Sequence, residues 1–152
     1  MTSENQIQKA REILENFLTT GTYRKTTQRF LILREIYAIS GHFEIEELIS
    51  VLRSKKISIS RATVYNTLEV LLQCQLVRRH EFGDGRVVYE KSYGYHQHDH
   101  LLCLDCGKVF EFCDPRLQKI EESVGKFFGF QVEGHNLTLQ GRCIREECSH
   151  KN

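Results

Sequence analysis

The chain has 152 residues, 40% of them hydrophobic and 27% charged, with 21 Lys and Arg against 20 Asp and Glu and a net charge of +1. This is the composition of a folded soluble protein of one domain or two small ones, and it excludes a low-complexity chain and one whose net charge alone announces a nucleic-acid partner. No apolar run approaches the ~18 residues of a spanning helix, and the start, Met-Thr-Ser-Glu-Asn-Gln, lacks the basic and apolar regions of a secretion signal, so a cytoplasmic protein is expected.

Charge is distributed unevenly. Residues 1–91 carry 14 Lys and Arg against 11 Asp and Glu, and residues 92–152 carry 7 against 9. Any polyanion contact therefore belongs to the N-terminal part.

Apolar positions recur at helical spacing over 5–19 (Ile7, Ala10, Ile13, Leu14, Phe17, Leu18), and Gly21 ends that helix. Residues 23–29 form a basic link containing Arg24, Lys25 and Arg29. A second helix follows with Phe30, Leu33, Ile36 and Tyr37 inward, stopping at Ser40-Gly41. A third carries Ile45, Leu48, Ile49 and Leu52 on one face, and Lys55 and Lys56 close it with charges suited to a helix C-terminus. Ser60 is a good N-cap for a fourth helix from Arg61, with Val64, Leu68, Leu71 and Leu72 as its buried stripe. Two β-prone runs, 76–82 and 86–90, flank Gly-Asp-Gly and predict a hairpin.

Three helices, a recognition helix and a hairpin make the order of a winged helix-turn-helix. Such folds set the first residues of the recognition helix against base edges. Arg61 can reach guanine or phosphate, Asn66 can read adenine, and Tyr65 can lie against a sugar or thymine methyl. Arg78, Arg79 and Arg86 of the hairpin suit phosphates. Arg24, Lys25, Arg29 and Thr63 complete the candidate DNA contacts.

Residues 92–97 contain Gly and read as a hinge between a 1–91 DNA-binding domain and a 98–152 domain. Strands are expected at 99–103 and 108–112. Asp114 and Pro115 are an N-cap and first helical residue. Their helix is expected to bury Leu117, Ile120, Val124 and Phe127 and to break at Gly129, with extended chain at 130–132 and 137–141.

The densest chemistry lies in residues 96–106, which hold three imidazoles, two carboxylates and two thiols. Cys103 and Cys106 form a C-x-x-C followed by Gly107, and Cys143 and Cys148 supply a second, looser pair. Four thiols in two knuckles are the usual sign of a closed tetrahedral structural Zn²⁺ site. Disulfides are the alternative, but nothing in the sequence points to an oxidising compartment. Cys74 reads as a core residue. In a strand, residues i and i+2 share a face, so His98 and His100 point one way and Asp99 and Leu101 the other. Two histidines on one face beside the knuckle, followed by Glu111, point to a second metal.

With these residues in view the chain resembles the ferric uptake regulator family of metal-dependent bacterial repressors. The carriers are Ser60-Arg-Ala-Thr-Val-Tyr65, the run from His98 to Lys108, Glu111-Phe112, and the pair Cys143 and Cys148. The resemblance implies an α+β fold: an N-terminal winged helix-turn-helix domain followed by a small α/β dimerisation domain with a four-cysteine zinc site. It implies a sensing site of His42, Glu90, His98, His100 and Glu111. Some members hold a third metal with His, Asp, Glu and His. Those positions read Gln97, Asp99, Gln118 and His135 here, so two are uncharged amides, and His96 or Glu121 would have to complete the set with Asp99 and His135.

The function this implies is a repressor of iron-uptake genes. It would bind palindromic operator DNA as a homodimer, or a higher oligomer on DNA, when Fe²⁺ or Mn²⁺ occupies the sensing site, with Zn²⁺ or Co²⁺ as substitutes. Neither a membrane nor a small-molecule substrate is expected. The other branches are a peroxide sensor, in which bound Fe²⁺ drives oxidation of a histidine ligand, and a zinc-uptake regulator. The peroxide branch tends to have Asp where this chain has Glu90 and Glu111, which favours iron. An enzyme is not expected: the sequence has no nucleophile elbow, no H-E-x-x-H and no zinc-deaminase signature.

Overall fold

Helical spacing of apolar residues, two hairpin runs and a Pro-initiated helix translate into ten elements among the described residues. A computed structural model describes residues 3–82, 85–94 and 98–144. In chain order these are α1 (Ser3–Thr20), α2 (Thr27–Ala38), α3 (Ile45–Ser54), α4 (Arg61–Gln73), β1 (Val77–Glu81), β2 (Val87–Lys91), β3 (Asp99–Cys103), β4 (Val109–Phe112), α5 (Pro115–Phe128) and β5 (Thr138–Gly141). The chain divides into two compact units, Met1–His96 and Gln97–Asn152. Among the described residues no helix is long and apolar enough to cross a membrane.

In the first unit, four helices bury one apolar face each. Ala10, Leu14 and Leu18 of α1 join Ile32, Leu33 and Ile36 of α2, Leu48 and Leu52 of α3, and Val64, Leu68 and Leu71 of α4 in one core. Each fully buried aliphatic side chain contributes about 1.5–3 kcal/mol relative to exposure. The helix starts are set locally. Glu44 and Glu47 form a capping box at α3. At α4 the Ser60 hydroxyl accepts from the Thr63 N–H at 3.1 Å.

The hairpin β1–β2 is antiparallel, with Arg78 opposite Glu90, Arg79 opposite Tyr89 and Glu81 opposite Val87. One further bridge matters for the site. Phe43, in the loop between α2 and α3, pairs antiparallel with Tyr89 through N–H···O bonds of 2.9 and 2.8 Å. That pairing ties the α2–α3 loop to the outer edge of the wing.

In the second unit, β3 is central, antiparallel to β4 and parallel to β5. The parallel partner is not legible in the sequence: periodicity announces an extended run but not its neighbour. Residues 130–132 form no strand. Helix α5 has the expected cap, with the Asp114 carboxylate accepting from the Arg116 N–H at 2.9 Å, and it ends at Gly129 in the left-handed region at φ 72°.

The expected buried stripe of α5 is a correction beyond Leu117, which is half-buried. Ile120 is 55% exposed, Val124 47% and Phe127 81%, and Gly125 is the residue of this helix that is buried. The sheet is small, and its own row of Phe110, Leu101 and Leu139, which are register partners across the three strands, is exposed as well. The helical periodicity holds, but an apolar stripe records that a surface is to be covered, not what covers it.

Candidate metal centres and nucleic-acid face

The first unit supplies one cluster of metal-ligating side chains. The Phe43–Tyr89 bridge sets residue 42 across from residue 90, so a loop histidine meets a wing carboxylate. His42 Nε2 lies 3.6 Å from Glu90 Oε2. His80 Nε2 lies 2.9 Å from the other oxygen, Glu90 Oε1, and Arg78 Nη1 is 4.0 Å from that same Oε1. The His42 and His80 rings meet edge-on at 5.7 Å between centroids. One ligand atom from each of His42, His80 and Glu90 can be chosen so that all lie within 4.8 Å of one another. Glu90 is 1% exposed and His80 8%. A buried carboxylate facing two imidazoles offers the mixed N/O donors that Fe²⁺, Mn²⁺, Co²⁺ and Zn²⁺ accept.

The sequence reading misses His80. A signal existed: counting back from the Gly-Asp-Gly turn puts residue 78 opposite 90, and residue 80 then shares the face of Glu90 one step along the partner strand. Nothing in the local sequence, Val-Arg-Arg-His-Glu, marks that histidine as a site residue.

The second unit supplies another cluster. The register sets His100 opposite Glu111. His98 Nε2 lies 3.8 Å from Glu111 Oε1, and the His98 and His100 rings meet edge-on at 4.9 Å. His100 is buried at 1% exposure. The strand alternation thus brings both histidines and the carboxylate to one face, and Asp99 goes to the other.

On that other face, His135 stands between two carboxylates. Its Nδ1 is 2.8 Å from Glu121 Oε1 and its Nε2 is 2.8 Å from Asp99 Oδ1. Its pKa is raised, chiefly by the hydrogen bond to Glu121; desolvation opposes the rise and Asp99 adds to it. Of the residues considered for a third metal, Asp99, Glu121 and His135 are brought together, and His96 lies outside the described residues. Both imidazole nitrogens face carboxylates, so an ion bound at either nitrogen would take the place of the hydrogen bond there.

The thiols are organised by backbone contacts. Cys103 ends β3, and the Gly107 N–H donates to the Cys103 carbonyl at 2.8 Å, with Gly107 left-handed at φ 72°. The parallel register places Gly141 beside Cys103. The Cys143 N–H then donates to Asp105 Oδ2 at 2.8 Å, and Arg142 pairs with Asp105 at 3.1 Å. Asp105 inside the first knuckle thereby holds the start of the second. No disulfide joins the five described cysteines, and Cys148 lies outside the described residues. Cys74 is half-buried, and burial pushes its thiol pKa up.

The candidate DNA contacts fall into two groups. Arg61, Tyr65 and Asn66 are exposed at the start of α4, as are Arg24 and Lys25 in the link and Arg78 in the wing. Arg61 pairs with Glu46 of α3, Nη1 to Oε2 at 3.0 Å, and Lys25 pairs with Glu15. The other candidates are less exposed and make contacts within the fold. Thr63 is the capped residue of α4, and its hydroxyl bonds that of Ser60 at 2.8 Å. Arg29 bonds the carbonyls of Arg24 and Asn66 at 3.2 Å each, tying the link to the recognition helix. Arg86 is half-buried with its guanidinium 5.8 Å from the centre of the Phe82 ring.

Comparison with known proteins agrees with this architecture. Residues 20–140 match the ferric uptake regulator family. A ferric uptake regulation protein of Cupriavidus metallidurans is 36% identical over 130 residues, covering 84% of this chain and 90% of that one. The solved structure of the Helicobacter pylori ferric uptake regulator, described as having three functional metal-binding sites, superimposes with a TM-score of 0.77 at 25% identity over 91% of both chains. That of the Pseudomonas aeruginosa regulator with manganese gives 0.74 at 27% identity, covering 95% of this chain and all of that one. The chain belongs to the ferric uptake regulator family, metal-responsive transcription regulators and not enzymes.

Proposed function

We propose that this protein is an Fe²⁺-responsive repressor of iron-uptake genes that binds palindromic operator DNA as a homodimer in the cytoplasm. The observation that carries the reading is the pair of donor clusters, one in each unit. His42 and Glu90 come from the DNA-binding unit, and His98, His100 and Glu111 from the other. An ion that takes ligands from both clusters favours one arrangement of the two units, and it shifts the population only by its preference for that arrangement. Two wings held at a set separation then match a two-fold operator.

The residues present suit the ions assigned to them. Nitrogen and carboxylate donors without sulfur fit Fe²⁺ or Mn²⁺ at the sensing site, with Zn²⁺ and Co²⁺ as substitutes, and availability rather than affinity selects among them. The Helicobacter pylori relative is described as having three functional metal-binding sites and the Pseudomonas aeruginosa relative was solved with manganese, which supports metal binding by this chain. Cys103, Cys106, Cys143 and Cys148 would hold structural Zn²⁺, which links the two ends of the second unit. The exposed row of Phe110, Leu101 and Leu139, with the stripe on α5, supports a second copy of the chain as its cover. Glutamate at both 90 and 111 supports iron over peroxide sensing.

Footprinting on a palindromic duplex with Fe²⁺, Mn²⁺, Co²⁺ and Zn²⁺ in turn tests the reading. Protection is expected only with an ion present, weakening steeply as salt rises. Equal protection after chelation of the sensing ion overturns it. A gain of one oxygen on His42 or His98 after mild peroxide treatment of the iron form, with loss of DNA binding, assigns the peroxide branch instead.

A further inference from the structure

We propose that His80 is a positioning residue for the sensing ion: it holds one oxygen of Glu90 so that the other is presented to the metal. The proposal rests on the sensing site described above and adds a residue that the family resemblance does not include.

The two oxygens of Glu90 have different surroundings. Oε1 is 2.9 Å from His80 Nε2 and 4.0 Å from Arg78 Nη1. Oε2 faces His42 Nε2 at 3.6 Å. A carboxylate that ligates a cation is ionised and can only accept, so the proton between Glu90 and His80 sits on Nε2 and His80 donates. Protein donors thus converge on Oε1, and Oε2 is the oxygen that faces the other candidate imidazole ligand.

The hairpin fixes this arrangement. Residues 80 and 90 lie on one face of the β1–β2 pair, and the partner register of Glu90 with Arg78 leaves His80 on the diagonal. Burial restricts both side chains: His80 is 8% exposed and Glu90 1%. A free carboxylate would sample rotations about its last bond, and each ion bound would have to order it. A donor on one oxygen removes that freedom before the ion arrives. Outer partners of metal ligands act in this way, and their removal typically weakens metal binding by roughly 10–100-fold.

Co²⁺ titration of the full-length dimer, its structural zinc retained, tests the role, with d–d absorption as readout. His80→Ala is expected to weaken Co²⁺ binding about 10–100-fold while the saturated spectrum keeps its band positions and intensity. His80→Gln, whose amide N–H can reach the same oxygen, is expected to restore affinity to within a few-fold of the parent. Unchanged affinity in His80→Ala overturns the proposal, as does a His80→Gln protein as weak as His80→Ala. A saturated spectrum of altered coordination in both variants also overturns it, by making His80 a ligand. Circular dichroism checks folding, and His80→Leu, which fills the space without donating, replaces the Ala variant if that does not fold. Glu90→Ala and His98→Ala run alongside. If neither weakens Co²⁺ binding, the sensing site itself falls; if both do and His80→Ala does not, only the role of His80 falls.

Discussion

Glu35 shows how a single charge is tied to the fold. It is 3% exposed on α2, and its carboxylate pairs with Arg34 at 2.9 Å and with Lys55 at the end of α3. Burial works to raise its pKa, but the hydrogen bonds from Lys55 and Arg34 outweigh it and the pKa is lowered. The linkage follows: a depressed carboxylate contributes stability above its unfolded pKa of about 4.3, and that contribution is lost as pH falls through the lower folded value. Glu35→Gln is expected to cost on the order of 1 kcal/mol at pH 7, since both cations are half in solvent. The gap between parent and variant should close in acid, as denaturant melts across pH 7 to 3 would read. At the same scale, His98→Ala and Cys103→Ser should part company. The first should leave a folded, zinc-containing dimer whose DNA binding ignores added metal. The second should lose zinc and with it the second unit. Zinc content and circular dichroism decide, and one shared unfolded product would show that the two sites do not have separate roles.

Among the elements, α4 carries the test of recognition. Its Ser60 cap and buried Val64, Leu68 and Leu71 fix the helix, and Arg61, Tyr65 and Asn66 project from the first turn and a half. Arg61→Ala is expected to cost about 1–3 kcal/mol of operator affinity and to relax the base preference at one position of each half-site. Lys25→Ala should instead weaken binding to all duplexes alike and reduce the salt slope by about one. Binding across a set of substituted operators at several salt concentrations separates the two. The sequence groups Thr63 and Arg29 with these contacts; in the fold the Thr63 hydroxyl also bonds Ser60 and Arg29 also ties the link to α4.

Across the whole molecule the exposed apolar surfaces and the donor clusters carry the expectations. Val124→Asp on α5 puts a charge into a stripe shared with Ile120 and Phe127. It should shift sedimentation from dimer to monomer while leaving the zinc content intact, because the thiols lie elsewhere in the second unit. A monomer should then show little operator binding, since half-site spacing is read by two wings. Scattering profiles of the parent with and without the sensing ion should differ, and identical profiles with identical operator affinity would show that the ion does not select an arrangement of the two units.

Much of this was legible in the residues. The helices announced themselves through apolar spacing, the caps through Ser60 and Asp114, and the hairpin through its turn. Strand alternation alone put His98 and His100 together, because side-chain direction in a strand is local. What tertiary structure decided was every meeting between distant segments. The Phe43–Tyr89 bridge brings a loop histidine to Glu90, the hairpin register adds His80, and the parallel pairing of β3 with β5 sets Cys143 near its knuckle through Asp105. Glu121 of α5 meets His135, a pairing set by how the helix packs and not by position along the chain. Periodicity says which face of an element is apolar or ligand-bearing; only the packing of elements says what that face meets.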